Sequence, residues 1–146
     1  MQARTRSSRR DGTGFTLAEL MVVIVIIGLL ATLVVPNVLQ KLSKANRAKA
    51  KADITTIANA ITAYMIENAG RFPENMDVLL VPDSSGHVPL ARDTIPLDPW
   101  GNPYLFQPAP SGSDDFRVMS YGKDGQAGGG GDDADLDSIQ IRNGEV

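Results

Sequence analysis

Four aspartates, Asp124, Asp132, Asp133 and Asp135, bracket a run of glycines near the C-terminal end of the chain. Their chemistry is that of hard oxygen ligands. Calcium takes six to eight oxygens, backbone carbonyls among them, and glycines let a loop wrap around such an ion. Magnesium asks for a tighter octahedron than a glycine-rich loop readily supplies. An EF-hand does not fit: counted from Asp133, the sixth position is Ser138 instead of glycine and the twelfth is Gly144 instead of glutamate. A flexible, solvated acidic loop is the alternative reading of the same composition.

A fifth carboxylate, Glu19, sits inside an apolar stretch, FTLAELMVVIVIIGLLATLVV, at residues 15–35. A carboxylate in lipid costs about 2.5–3.5 kcal/mol, which marks Glu19 as a functional candidate; near the segment's end it could instead reach the headgroups. A cut ahead of Phe15 would create an ammonium four residues before Glu19. The same ammonium on a neighbouring chain could neutralise the carboxylate and set the axial register between packed copies. No catalytic set accompanies these groups. The chain has no cysteine, one loop histidine (His87) and no glycine loop opening a phosphate-binding helix, so it is not expected to be an enzyme.

The elements that must carry these residues follow from patterning. Residues 15–35 make a helix of about 31 Å, close to a bilayer's hydrocarbon thickness of about 30 Å. Ahead of it, Arg4, Arg6, Arg9 and Arg10 form a basic flank like that of an export signal. Small residues in an A-x-A-like pattern are missing after the apolar run, which reads ATLVVPN, so the processing point is placed at Gly14 and Phe15. Lys41, Lys44, Arg47, Lys49 and Lys51 follow the segment closely, so basic residues alone do not orient it. Residues 1–52 carry a net +7 and residues 53–146 a net −10. An acidic body of that size argues against nucleic acid as a partner.

Pro36 removes one helical hydrogen bond and either kinks the helix or marks its break. Beyond it, Ile54, Ile57, Ala58, Ile61, Tyr64 and Met65 recur at three- and four-residue spacing, predicting an amphipathic helix that ends near Gly70. Residues 71–94 read as loop. The string D-P-W-G-N-P-Y, Asp98 to Tyr104, reads as a tight reversal flanked by short strands at Leu97 and at Tyr104–Phe106, with Trp100 covering the helix stripe. A further strand is expected from Phe116 to Tyr121. The fold class is α+β, a long N-terminal helix packed on a small three-stranded antiparallel sheet. The division is a leader at 1–14, a transmembrane segment at 15–35, a helical continuation at 36–70 and a globular domain at 71–146.

The string G-F-T-L-x-E, Gly14 to Glu19, at the head of an apolar helix resembles the signal of the type IV pilin and pseudopilin superfamily. The D-P-W-G-N-P-Y turn is similar to that of the major pseudopilins of type II secretion. That resemblance implies cleavage between Gly14 and Phe15 by a prepilin peptidase, N-methylation of Phe15, and a role for Glu19 in assembly. It implies a homopolymeric helical filament in the periplasm, working with minor pseudopilins and an inner-membrane secretion platform to drive protein export across the outer membrane. The subunit would begin as a single-pass inner-membrane protein in contact with lipid, its C-terminal domain in the periplasm. S-x-G-x-D-G followed by glycines and D-A-D resembles the family's calcium loop. It implies Asp124 and Asp133 as side-chain ligands with a carbonyl near Tyr121, and Asp132 and Asp135 as further members. A type IV pilus or competence pilin subunit, and a monomeric tethered calcium-binding protein, are the competing readings.

Overall fold

The computed structural model describes residues 14–108 and 115–145; all of the leader at 1–14 except Gly14 lies outside the described residues. Helix α1 spans Leu17–Glu67, 51 residues, and its helical assignment continues past Pro36. Two compact units divide the chain, residues 1–40 and 41–146.

In the first unit α1 is apolar on every side. Leu20, Val23, Ile24, Ile27, Leu30 and Val34 are all exposed, as is Phe15 ahead of the helix. A helix of this kind belongs in a protein interior or in lipid. Taken as segments, neither Leu17–Thr32 nor Asn37–Glu67 is long and apolar enough to cross a membrane alone; the two together meet that test by length and composition only.

In the second unit the periodic stripe does what its spacing predicts. Ala50, Ile54, Ile57, Ile61 and Met65 are buried, with Ala58 and Tyr64 at the margin. They pack with Leu79, Leu90, Tyr104, Val118 and Leu136. Each fully buried aliphatic side chain contributes about 1.5–3 kcal/mol relative to exposure. The helix stops where expected: Ala69 and Gly70 both take positive φ, and the Gly70 N–H bonds the Met65 carbonyl at 2.8 Å.

Asp53 brings charge into this core from α1. Its buried carboxylate accepts from Lys49 Nζ at 2.6 Å, Arg92 Nη2 at 3.2 Å and the Tyr104 hydroxyl at 3.3 Å. Burial, then the charge of Asp53, hold the Tyr104 hydroxyl well above the usual tyrosine range, so it remains a donor.

The segment after α1 is not wholly irregular. Met76–Leu80 forms a 3-10 turn whose first N–H groups are capped by Asn75, and it delivers Leu79 to the core. The sheet is antiparallel, ordered β1 (Leu105–Pro108), β2 (Phe116–Ser120), β3 (Leu136–Asp137). Leu105 pairs with Met119 and Pro108 with Phe116; on the other edge Ser120 pairs with Leu136.

Two expectations shift in detail. Leu97 makes only an isolated bridge to Pro103, because Pro99 and Pro103 lack the N–H groups a ladder needs. The third strand is β3, beyond the acidic loop, followed by a short helix α2 (Ser138–Asn143) capped by Asp137 and closed by Gly144 in the left-handed conformation. Trp100 is half-buried at the edge of the core, and Tyr104 is the fully buried ring.

Candidate functional site

The N-terminal group of candidates forms a closed local structure. Thr16 is the residue before α1, and Glu19 stands three positions later. The Thr16 N–H donates to Glu19 Oε2 at 2.7 Å, and the Glu19 N–H donates to Thr16 Oγ1 at 3.2 Å. The Thr16 hydroxyl adds a third bond to Glu19 Oε2 at 2.9 Å. This is a reciprocal capping box. Glu19 therefore satisfies donors at the head of its own helix while remaining at the surface of the single chain. Its negative charge also suits the positive end of the helix dipole. Gly14 has no neighbour within 4 Å of a Cβ built on it, and Phe15 is 81% exposed, so the bond between them is sterically open.

The acidic loop is held from three sides. The Asp98 turn supports it from below. Asp98 is buried, accepts the N–H groups of Trp100 at 3.0 Å and Asn102 at 2.8 Å on Oδ1, and takes the Ser120 hydroxyl at 2.7 Å on Oδ2. Ser120 in turn accepts the Gly122 N–H at 3.2 Å, and Asn102 Nδ2 donates to the Gly122 carbonyl at 2.8 Å. The loop then closes on itself: the Lys123 N–H bonds the Asp132 carbonyl at 2.9 Å, and the Asp133 N–H bonds the Gly130 carbonyl at 3.2 Å. From the side, α1 contributes Ser43, whose hydroxyl donates to Asp132 Oδ1, and Arg47, which donates to the carbonyls of Gly131 and Ala134.

Glycine is required where this closure is tight. Gly122 has φ +70°, and a Cβ there would lie 2.8 Å from the Asp132 carbonyl oxygen and 2.9 Å from that of Asp133. Gly129, at φ +84°, would meet the Asp133 oxygen at 2.6 Å. Both glycines thus cradle the Asp133 backbone.

The aspartates named from sequence are dispersed within this frame. Asp124 is exposed and caps the N–H of Gln126 at 3.1 Å. Asp132 faces Ser43, Asp133 is half-buried, and Tyr121 is half-buried one residue before Gly122. Asp135 Oδ2 accepts the Gly128 N–H at 3.0 Å, whereas its Oδ1 is buried with no hydrogen-bond partner. Among the described residues no three acidic or histidine side chains converge as a metal-binding group. The orphaned carboxylate oxygen of Asp135 and the glycine-lined carbonyl of Asp133 are oxygens of the kind that calcium takes as ligands.

Sequence reasoning gave Ser43, Arg47, Asp98 and Asn102 no part in holding the acidic loop. Only the Asp98 turn carried a readable signal, an aspartate followed by Pro, Gly and Asn, whose side chain is apt to cap its own turn.

Comparison with known proteins shows the family and the fold. Residues 37–139 match the family described as type II secretion system (T2SS), protein G, and residues 9–35 match the prokaryotic N-terminal methylation motif. The type II secretion system core protein G of Pseudomonas aeruginosa is 41% identical over 138 residues, covering 88% of this chain and 95% of that protein. The core protein G of Vibrio cholerae is 38% identical over 142 residues, covering 92% and 96%. A crystal structure of the major pseudopilin from the type 2 secretion system of enterohaemorrhagic Escherichia coli shares the fold, with a TM-score of 0.51 at 24% identity, covering 72% of this chain and 96% of that one. The chain belongs to the type II secretion system protein G family.

Proposed function

We propose that this chain is the major pseudopilin of a type II secretion system, the subunit that polymerises into the periplasmic pseudopilus and drives protein export across the outer membrane. The observation that carries it is the tandem of a methylation motif over residues 9–35 and a protein G domain over residues 37–139, joined by one helix whose first half is apolar on all sides. In this reading a prepilin peptidase cuts between Gly14 and Phe15 and methylates Phe15. The subunit waits in the inner membrane with its globular unit in the periplasm. Lateral packing with other copies, with minor pseudopilins and with the inner-membrane platform then exchanges lipid contacts for protein ones. The sequence has no glycine loop opening a phosphate-binding helix, and in this reading the work of assembly comes from another component.

In this reading Glu19 enters that exchange from its capping box. Its carboxylate already holds Thr16 and thereby the first turn of α1. A neighbour's terminal ammonium would join an ordered acceptor, which lowers the entropy lost on pairing.

Calcium belongs to the same proposal. Asp133 and its carbonyl, the orphaned oxygen of Asp135, Asp124 and a carbonyl near Tyr121 would hold the ion; Asp132 is engaged by α1 and is the weaker member. The ion would supply charge neutralisation and cross-linking of the acidic loop.

Mass spectrometry of protein purified from a secreting host tests the reading at its first step. The expected N-terminus is methylated Phe15, accompanied by ladders of multimers on cross-linking through α1. An intact leader, a cut near Ala31, or monomer alone under cross-linking would overturn it.

A further inference from the structure

Arg47 occupies an unusual position for an arginine beside an acidic loop. The segment from Asp124 to Asp135 carries four aspartates and no basic residue. Even so, the Arg47 guanidinium contacts none of their carboxylates among its hydrogen bonds. Its Nη1 donates to the Gly131 carbonyl at 2.6 Å and to the Ala134 carbonyl at 3.4 Å. The neutral hydroxyl of Ser43, one helical turn earlier, is what meets the carboxylate of Asp132. Helix α1 therefore fixes the loop's backbone without pairing the Arg47 head directly with any of these carboxylates.

These contacts have a geometric effect. The Gly131 and Ala134 carbonyls bracket the 3-10 turn Gly131–Asp133, so tying both to one helical side chain fixes the turn's orientation. The Asp133 carbonyl in the Gly122 and Gly129 cradle and the orphaned Oδ1 of Asp135 lie outside that clamp. Arginine is suited to this task because it stays charged and its planar head holds its donors in fixed directions.

We propose that Arg47 is the positioning residue of the acidic loop: by clamping the Gly131 and Ala134 carbonyls to α1, it presets the remaining loop oxygens for a calcium-sized divalent cation that it does not itself touch. The second half of that statement rests on the calcium reading above. The clamp also extends the grip of the globular unit on α1 from Ala50, the first buried core residue, back to Ser43. Loop order and the order of these helical turns are then one event.

The test uses the full chain in detergent micelles, with wild type, Arg47→Ala and Arg47→Lys compared in two measurements. Calcium chloride titration calorimetry reads affinity. Amide exchange in chelator reads loop order without metal, with strand β2 as the internal control for folding. Outer partners of metal ligands typically alter affinity by about 10–100-fold, so Arg47→Ala is expected to bind calcium at least about tenfold more weakly. It should also exchange faster at residues 130–135 while β2 is unchanged, and Arg47→Lys should recover part of both. Wild-type affinity together with wild-type loop exchange in Arg47→Ala would overturn the proposal. A wild type that takes up no calcium, with loop exchange still accelerated in Arg47→Ala, would refute the calcium reading and uphold the clamp.

Discussion

Replacing Gly122 with alanine isolates the close approach that shuts the acidic loop. Two costs add at this position. The residue holds φ +70°, where an L side chain is disfavoured by about 1–2 kcal/mol. The new Cβ would also sit 2.8 Å from the Asp132 oxygen and 2.8 Å from the Asp133 carbonyl carbon. Those are backbone atoms held by the Lys123 and Asp133 hydrogen bonds, so relief requires the loop to open. Overpacking of this kind adds about 1–3 kcal/mol, for a total of about 2–5 kcal/mol. Gly86 is the matched control. It has φ +83° and nothing within 4 Å of a Cβ, so Gly86→Ala should cost only the first part, about 1–2 kcal/mol. Urea unfolding of the full chain in micelles, followed by circular dichroism, measures the difference. Equal losses in the two variants would show that the carbonyl cradle is not tight, and the account of the loop would fail.

The other predictions concern the turn beneath the loop and the far end of α1. Asp98→Ala removes the acceptor for two backbone N–H groups and the Ser120 hydroxyl in a buried site, and should cost about 2–5 kcal/mol in the same unfolding assay; a loss under 0.5 kcal/mol would contradict the geometry. At the end of α1, a side-chain hydrogen bond with Asp83, and then desolvation, raise the Glu67 carboxyl above the ordinary glutamate value. Asp83 is lowered, chiefly by the Ser85 hydroxyl. A raised folded-state value means that the contribution of Glu67 is complete below about pH 4 and fades as pH climbs through the folded value. Glu67→Gln keeps a donor to Asp83 at every pH. It should therefore raise the melting temperature at pH 7 and leave it unchanged near pH 4; an equal shift at both pH values would refute the pairing.

Parts of this architecture were legible in the sequence because simple periodicities carry them. An apolar run without a polar face needs lipid or protein around it, and a stripe at three- and four-residue spacing needs a core. The cap at Gly70 followed from glycine's tolerance of positive φ. Strand β3 was hidden because two residues, Leu136 and Asp137, are too short to show alternation, and its existence depends on pairing with Met119 and Ser120. The grip of α1 on the acidic loop was hidden for a different reason. Ser43 and Arg47 meet partners 84 to 89 residues away, and a basic stretch near a membrane segment reads equally as a solvated face or as one that meets headgroups or acidic neighbours. Among the aspartates, spacing marked the right segment, but backbone carbonyls, which have no letter in a sequence, supply much of its oxygen.

The chain's only tryptophan lies inside the turn on which the loop rests. Trp100 is half-buried against the core, and its N–H is fixed by Asp98, two bonds removed from the Gly122 amide through Ser120. Ultraviolet excitation of the unlabelled protein therefore reports optically on the loop's foundation. Emission colour and quenching by iodide would follow whether the turn is shut, in a micelle or in an assembled filament, without any dye attached.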